Sequence, residues 1–174
     1  MQNRFKATVV AVFALAAAIG AVLPAGAGAT PASRIVFSVE NLGDAGAACD
    51  GFGLSFDMVS PAGSLLGRGR SCMGSFDGCD PSVSFRPGCH ATISVTFVLD
   101  FADGSLTAPM TLREVYPDPL TIRQHGEGRV SGGSAAYAGA SGVVEGGGTI
   151  LFAPFAVDLV YVVHLSGTGV GRTV

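Results

Sequence analysis

The sequence has few basic residues and none of the usual spacings of a metal site. Of its 174 residues, ten are Lys or Arg and thirteen are Asp or Glu. A mildly acidic chain has no electrostatic reason to bind nucleic acid or an anionic membrane. It contains no CxxC pair, no two His at ligand spacing and no EF-hand pattern. We therefore predict no metal, no cofactor and no nucleic-acid partner.

Helical periodicity is also missing after residue 30. Apolar residues instead alternate with polar ones, as in Ile35, Phe37 and Val39, and again along residues 93–101. A period of two is typical of strands with one buried face. Eight or so short strands without helices predict an all-β fold, either a closed barrel or a two-sheet sandwich.

The N-terminus has the three parts of a secretory signal peptide. Arg4 and Lys6 precede an apolar run from Ala7 to Leu23, and Ala27-Gly28-Ala29 supplies a small-x-small cleavage site. The alternative is a retained membrane anchor, but the run is only about as long as the shortest spanning helices, which need roughly 17 residues. We predict cleavage after Ala29, a secreted or periplasmic location and no stable membrane insertion afterwards.

Removal of residues 1–29 would leave a single domain of 145 residues, from 30 to 174, with eight Arg against thirteen acidic residues. Its formal net charge would be −5, and it would keep all four cysteines. Export would place these cysteines where disulfides persist. Structural disulfides are therefore favoured over a zinc site.

Hairpin geometry favours one of the three possible cysteine pairings. Residues 52–59 and 64–70 read as strands joined by a turn at 60–63, which would place Cys72 opposite Gly51. Cys49 would then lie within reach of Cys72. This leaves Cys79 and Cys89 to close a short loop.

Two local signals predict the shape of the next hairpin. Asp103-Gly104 favours a type I′ turn between the strand at 93–101 and a partner through residues 106–112. Pro109 lies inside that partner and cannot donate to the ladder, so we expect a bulge or an unpaired position there.

A glycine-rich segment carries the most specific signal in the chain. Its conspicuous positions are Gly132, Gly133, Tyr137, Gly139 and Gly142. The glycines permit a sharp reversal at a barrel corner, and the Tyr137 ring can cover the barrel end. The segment lacks the Lys-Ser/Thr of a P-loop and precedes a strand, so phosphate binding is disfavoured.

The same segment resembles the GG-T-G-x-F/Y-x-G-A-x-G signature of the allene oxide cyclase and dirigent proteins, with Ser134 in place of Thr and Ala135 in place of Gly. The resemblance extends loosely from about Val95 to the C-terminus. It implies an eight-stranded antiparallel barrel around an apolar cavity, and a homo-oligomer as in many relatives. It transfers no catalytic residue to this chain, so none is predicted.

Two strands offer candidate ligand-binding residues. Arg123, His125 and Glu127 share one face of the strand before the glycine-rich segment. Inside a cavity they could move a proton or hold an anionic oxygen; the alternative is a solvated outer face. Tyr161 lies on an apolar face of the last strand, where its hydroxyl could orient a ligand.

Three functions follow from these patterns. The leading hypothesis is a secreted barrel that binds a small apolar or amphipathic molecule. The second is an isomerase or cyclase for a reactive hydrophobic substrate, which requires an ionisable group facing the cavity. The third is a structural or interaction module with a filled barrel.

Overall fold

The computed structural model describes residues 34–80 and 85–166. The predicted signal peptide, residues 1–29, lies outside these ranges. Most described residues belong to strands, and no α-helix occurs among them. The predicted all-β fold is confirmed.

Nine strands and two short 3₁₀ segments follow one another along the chain. The strands are β1 (Arg34–Asp44), β2 (Gly53–Val59), β3 (Leu65–Gly78), β4 (Cys89–Phe101), β5 (Gly104–Asp118), β6 (Thr121–Val130), β7 (Gly132–Gly133), β8 (Ser141–Phe152) and β9 (Phe155–Ser166). The 3₁₀ segments span Gly46–Ala48 and Ala135–Tyr137.

Eight of these strands close into an antiparallel barrel. Each long strand pairs with the next in the order β1, β2, β3, β4, β5, β6, β8, β9, and β9 pairs back with β1. The two-residue β7 adds to one end of β5. A closed barrel leaves no unpaired sheet edge among its eight strands. The eight-stranded antiparallel barrel that the resemblance implies is therefore confirmed, and the two-sheet sandwich is excluded.

The inner wall is built by the apolar residues that alternate along each strand. On β4 the inward side chains Ile93, Val95, Phe97 and Leu99 are all buried, while the intervening Thr92 and Ser94 are exposed. The same alternation buries one face of β1, β5 and β9. Burial of this continuous apolar surface is the main force that holds the barrel together.

Both disulfides have the predicted pairing. Cys49 is bonded to Cys72 with 5.3 Å between Cα atoms, and Cys79 is bonded to Cys89 with 5.8 Å. The predicted register of the first hairpin is shifted by two residues, since Cys72 lies opposite Gly53 and not Gly51. The bond still forms because Cys49 lies in the connection just before β2, beside Gly53.

The turn between β4 and β5 differs from the prediction. Phe101 pairs with Gly104, so the turn residues are Ala102 and Asp103. Neither has the positive φ that a type I′ turn requires. The Asp-Gly signal located the hairpin but misplaced its centre by one residue.

The predicted interruption at Pro109 is present. On the side of β5 that faces β6, regular pairing ends at Met110 with Gly128 and resumes at Thr107 with Gly132. The register changes by one residue between these pairs, so Pro109 has no pairing partner on this side. The missing N–H of proline is therefore accommodated at a bulge.

Candidate functional site

The barrel interior is not completely filled by side chains. A cavity of about 470 Å³ occupies one half of the barrel and is lined by residues from every long strand. Ligand sites in proteins are typically clefts of about 300–1,000 Å³ with mostly apolar walls. The filled barrel expected of a purely structural module is therefore not observed.

The two ends of the barrel are different. At the end that contains the β4–β5 turn, the glycine-rich segment folds inward and buries Tyr137, whose ring centroid lies 5.1 Å from that of Phe101. Gly104 allows this approach, since a Cβ there would lie 2.3 Å from the Ser134 carbonyl oxygen. Gly133 packs equally closely against the Tyr137 backbone. This end is closed, and the cavity lies toward the other one.

An aromatic rim surrounds the open end of the cavity. Four phenylalanines line the cavity and are also 41–61% exposed: Phe52, Phe76, Phe152 and Phe155. Contiguous exposed apolar surface on a soluble domain commonly marks an interaction site. We call these four residues the aromatic rim.

Deeper in the cavity, packed aromatic rings form part of the wall. The Phe97 ring centroid lies 5.8 Å from that of Phe56 and 5.2 Å from that of Tyr161, the latter in an edge-to-face arrangement. Phe37 stacks behind them against Tyr161 at 5.8 Å. Such contacts fix the orientation of the rings.

Tyr161 is held over a glycine of the neighbouring strand. A Cβ at Gly146 would lie 2.7 Å from Tyr161 Cδ1 and 2.2 Å from the Val160 carbonyl oxygen, so only glycine leaves room for the ring. The Tyr161 hydroxyl accepts a hydrogen bond from Gln124 Nε2. Burial is the main cause that raises the Tyr161 pKa, and the nearby Glu114 charge adds to the increase. Tyr161 therefore stays neutral at physiological pH.

Glu114 is the one charged residue buried in the described part of the barrel, with 6% of its surface exposed. It lies on the inward face of β5 and lines the cavity. The Tyr116 hydroxyl, two residues along the same face, donates a hydrogen bond to Glu114 Oε2. Burial raises the pKa of Glu114, and the Tyr116 hydrogen bond offsets part of that increase.

The pKa of Tyr116 is also raised, first by burial and then by its hydrogen bond to Glu114. The negative charges of Glu114 and Asp80 add to this effect. Tyr116 is therefore a neutral hydrogen-bond donor. We call Glu114, Tyr116, Gln124 and Tyr161 the interior polar group.

Among the predicted binding residues, only Tyr161 reaches the cavity. Arg123, His125 and Glu127 are exposed on the outer face of β6. On that face Glu127 forms an ion pair with Arg113 of the neighbouring strand β5, with 3.6 Å between the charged atoms. They match the alternative of a solvated face, because the inward positions of β6 are the even-numbered ones. The structure therefore gives these three residues no place in the cavity.

Sequence reasoning missed Glu114, Tyr116 and Gln124. The first two continue the alternation of Leu106 to Leu112 by two and four residues, and Gln124 follows Ile122 on the apolar face of β6. Extending each inward face past its last apolar residue would have revealed all three.

The described residues include no cluster of three or more His, Cys, Asp or Glu suited to holding a metal ion. Over the same ranges, no helix is long and apolar enough to cross a membrane. No protein-family model matches the chain, and no curated protein or solved structure is significantly similar to it.

Proposed function

We propose that this protein is a secreted barrel that binds a small apolar or amphipathic molecule. The observation that supports it most directly is the cavity of about 470 Å³, which has aromatic walls and opens through the aromatic rim. Apolar walls supply affinity, and a few fixed polar groups orient the ligand. We assign that role to Glu114, Tyr116 and Tyr161, which all line the cavity.

The two disulfides are compatible with residence outside the cytosol, where such bonds persist. The eight-stranded barrel is also the fold that the resemblance of the glycine-rich segment implies. Relationship to the allene oxide cyclase and dirigent proteins is thus part of the proposal, supported by the fold and that segment.

A cavity-filling variant tests ligand binding. Ser71 lines the cavity with a small side chain, so Ser71→Trp should occupy part of its volume. A fluorescent uncharged probe such as N-phenyl-1-naphthylamine should bind wild type, be displaced by small lipids, terpenoids or phenolics, and bind Ser71→Trp at least tenfold more weakly.

Thr92→Trp is the matched control, since Thr92 is exposed on the outer face of β4. It should bind the probe as wild type does. Two results together would show that the cavity is not a binding site. The first is that none of the lipids, terpenoids and phenolics raises the melting temperature of wild type. The second is that the fluorescent probe binds wild type, Ser71→Trp and Thr92→Trp with equal affinity.

Glu114 supports a second candidate, an isomerase or cyclase. A carboxyl group with a raised pKa in an apolar cavity is suited to general acid–base catalysis. A base-catalysed elimination such as ring opening of 5-nitrobenzisoxazole would detect this reactivity. Wild type should accelerate the reaction, and Glu114→Gln should remove the acceleration. Equal rates for both proteins would argue against catalysis.

A further inference from the structure

The cavity wall carries acidic side chains and no basic ones from the described ranges. Its titratable side chains are Asp44, Glu114, Tyr116 and Tyr161, and no Arg or His from the described ranges lines it. A ligand carboxylate or phosphate would therefore meet Glu114 without any cation to compensate. Like charges in a site of low dielectric constant repel strongly.

The rest of the wall suits a cation equally well. Six phenylalanines and two tyrosines line the cavity, and among them Phe97 packs against both Phe56 and Tyr161. The face of an aromatic ring attracts ammonium groups, and aromatic cages are a common way to bind quaternary ammonium ligands. Both the carboxyl and the rings thus favour a positive charge.

We propose that the natural ligand is a cationic amphiphile, whose ammonium group lies beside Glu114 and whose apolar part extends toward the aromatic rim. This inference rests on the proposed ligand-binding function and specifies the class of ligand. The ion pair would form inside the barrel, where a buried Glu114 carboxylate would otherwise lack a counter-ion. Tyr116 would remain hydrogen-bonded to the carboxylate in the complex.

Binding should be coupled to release of a proton. Burial raises the pKa of Glu114, whereas an ammonium group beside the carboxyl favours its ionised form, so ligand binding should lower that pKa and release protons at pH values between its free and bound values. The other titratable groups around the cavity are Tyr116, Tyr161 and Asp44, with Asp80 close to Tyr116. Both phenols have raised pKa values and stay neutral, so affinity for a quaternary ammonium should rise with pH as Glu114 ionises.

Three probes with the same tail test the inference: octyltrimethylammonium, 1-octanol and octanoate, each below its micelle-forming concentration. Displacement of the fluorescent probe gives the three affinities. Octyltrimethylammonium should bind at least tenfold more tightly than 1-octanol, and octanoate most weakly. Glu114→Gln should remove the ammonium preference, so that octyltrimethylammonium and 1-octanol bind this variant with affinities within threefold of each other.

Glu145→Gln is the matched control, because Glu145 lies on the outer wall beside His164. It removes the same charge from the protein and should leave all three affinities unchanged. Binding of 1-octanol as tight as that of the ammonium would overturn the inference while leaving the proposed function intact. Failure of every probe to bind would overturn both.

A wild-type measurement keeps the inference testable if Glu114→Gln does not fold. Titration calorimetry of octyltrimethylammonium over a series of pH values, in buffers of different ionisation enthalpy, should detect proton release, and the affinity should increase as the pH rises through the pKa of Glu114. An affinity that is independent of pH, with no proton released, would contradict the role of Glu114 as counter-ion.

Discussion

Loss of the Cys49–Cys72 disulfide should cost about 3.4 kcal/mol of stability. The two cysteines are 23 residues apart, and the chain-entropy relation for a closed loop of that length gives this value at 25 °C. The Cys79–Cys89 bond closes a loop with a separation of 10 residues, for which the same relation gives about 2.7 kcal/mol. The longer loop should therefore matter more, by about 0.7 kcal/mol.

Urea unfolding of Cys49→Ala/Cys72→Ala and of Cys79→Ala/Cys89→Ala, each followed by fluorescence and circular dichroism, measures both losses. Alanine leaves no polar group unpaired at the buried Cys49 position. The m-value should increase in both variants, because an unfolded chain without the cross-link exposes more surface. Domains are commonly stable by about 5–15 kcal/mol, so either loss should be readily measured.

Two results would refute this reasoning. If neither double variant loses stability, the disulfides do not restrict the unfolded chain. If the Cys79–Cys89 variant loses clearly more than the other, loop length is not what sets the contribution. Wild type under reducing conditions serves as the reference for the combined loss.

Three further predictions concern the closed end, the cavity wall and pH. Ala135 has a φ of +49°, so Ala135→Gly should raise the free energy of unfolding by about 0.5–1 kcal/mol in urea; a loss would contradict the strain. Gly146→Ala should lower the free energy of unfolding by about 1–3 kcal/mol and change the tyrosine fluorescence, because the new Cβ would clash with Val160 and Tyr161. Unchanged stability would show that the strands move apart enough to accept the methyl group. Because the pKa of Glu114 is raised in the folded protein, the stability that its proton contributes is fully present below the unfolded pKa and is lost as pH rises through the folded pKa. Glu114→Gln should therefore flatten that part of the curve of unfolding free energy against pH. Parallel curves for the variant and wild type would contradict this.

Much of the fold could be predicted because its signals are local. The alternation along β4 identified its buried face, and Pro109 marked the bulge in β5. The cysteine pairing could be predicted from the β2–β3 hairpin alone, because an error of two residues in its register still leaves Cys49 next to Cys72. The errors were of register and turn centre, which depend on how strands align across the sheet and not on any one strand.

The candidate site was less predictable. Tyr161 was identified because it lies in an apolar stretch, whereas Glu114 was not identified because a single Glu at a strand end looks like a solvated residue. Arg123 and His125 were predicted as binding residues because their side chains can bind an anion or transfer a proton, although their side of β6 faces outward. Residue type alone does not distinguish the two faces of a strand when both carry polar groups.

By itself the sequence determined an all-β domain, its disulfide pairing and the glycine-rich segment, because alternation, hairpin spacing and glycine content act over a few residues. The tertiary structure confirmed the eight-stranded closed barrel that the resemblance implies, and only the tertiary structure showed which side chains line its interior. Barrel closure brings β5, β6 and β9 around one space, and so places Glu114, Gln124 and Tyr161 together in it. Burial in that space raises the pKa of Glu114, and this burial depends on how the strands surround the cavity and not on the residues next to Glu114 in the sequence.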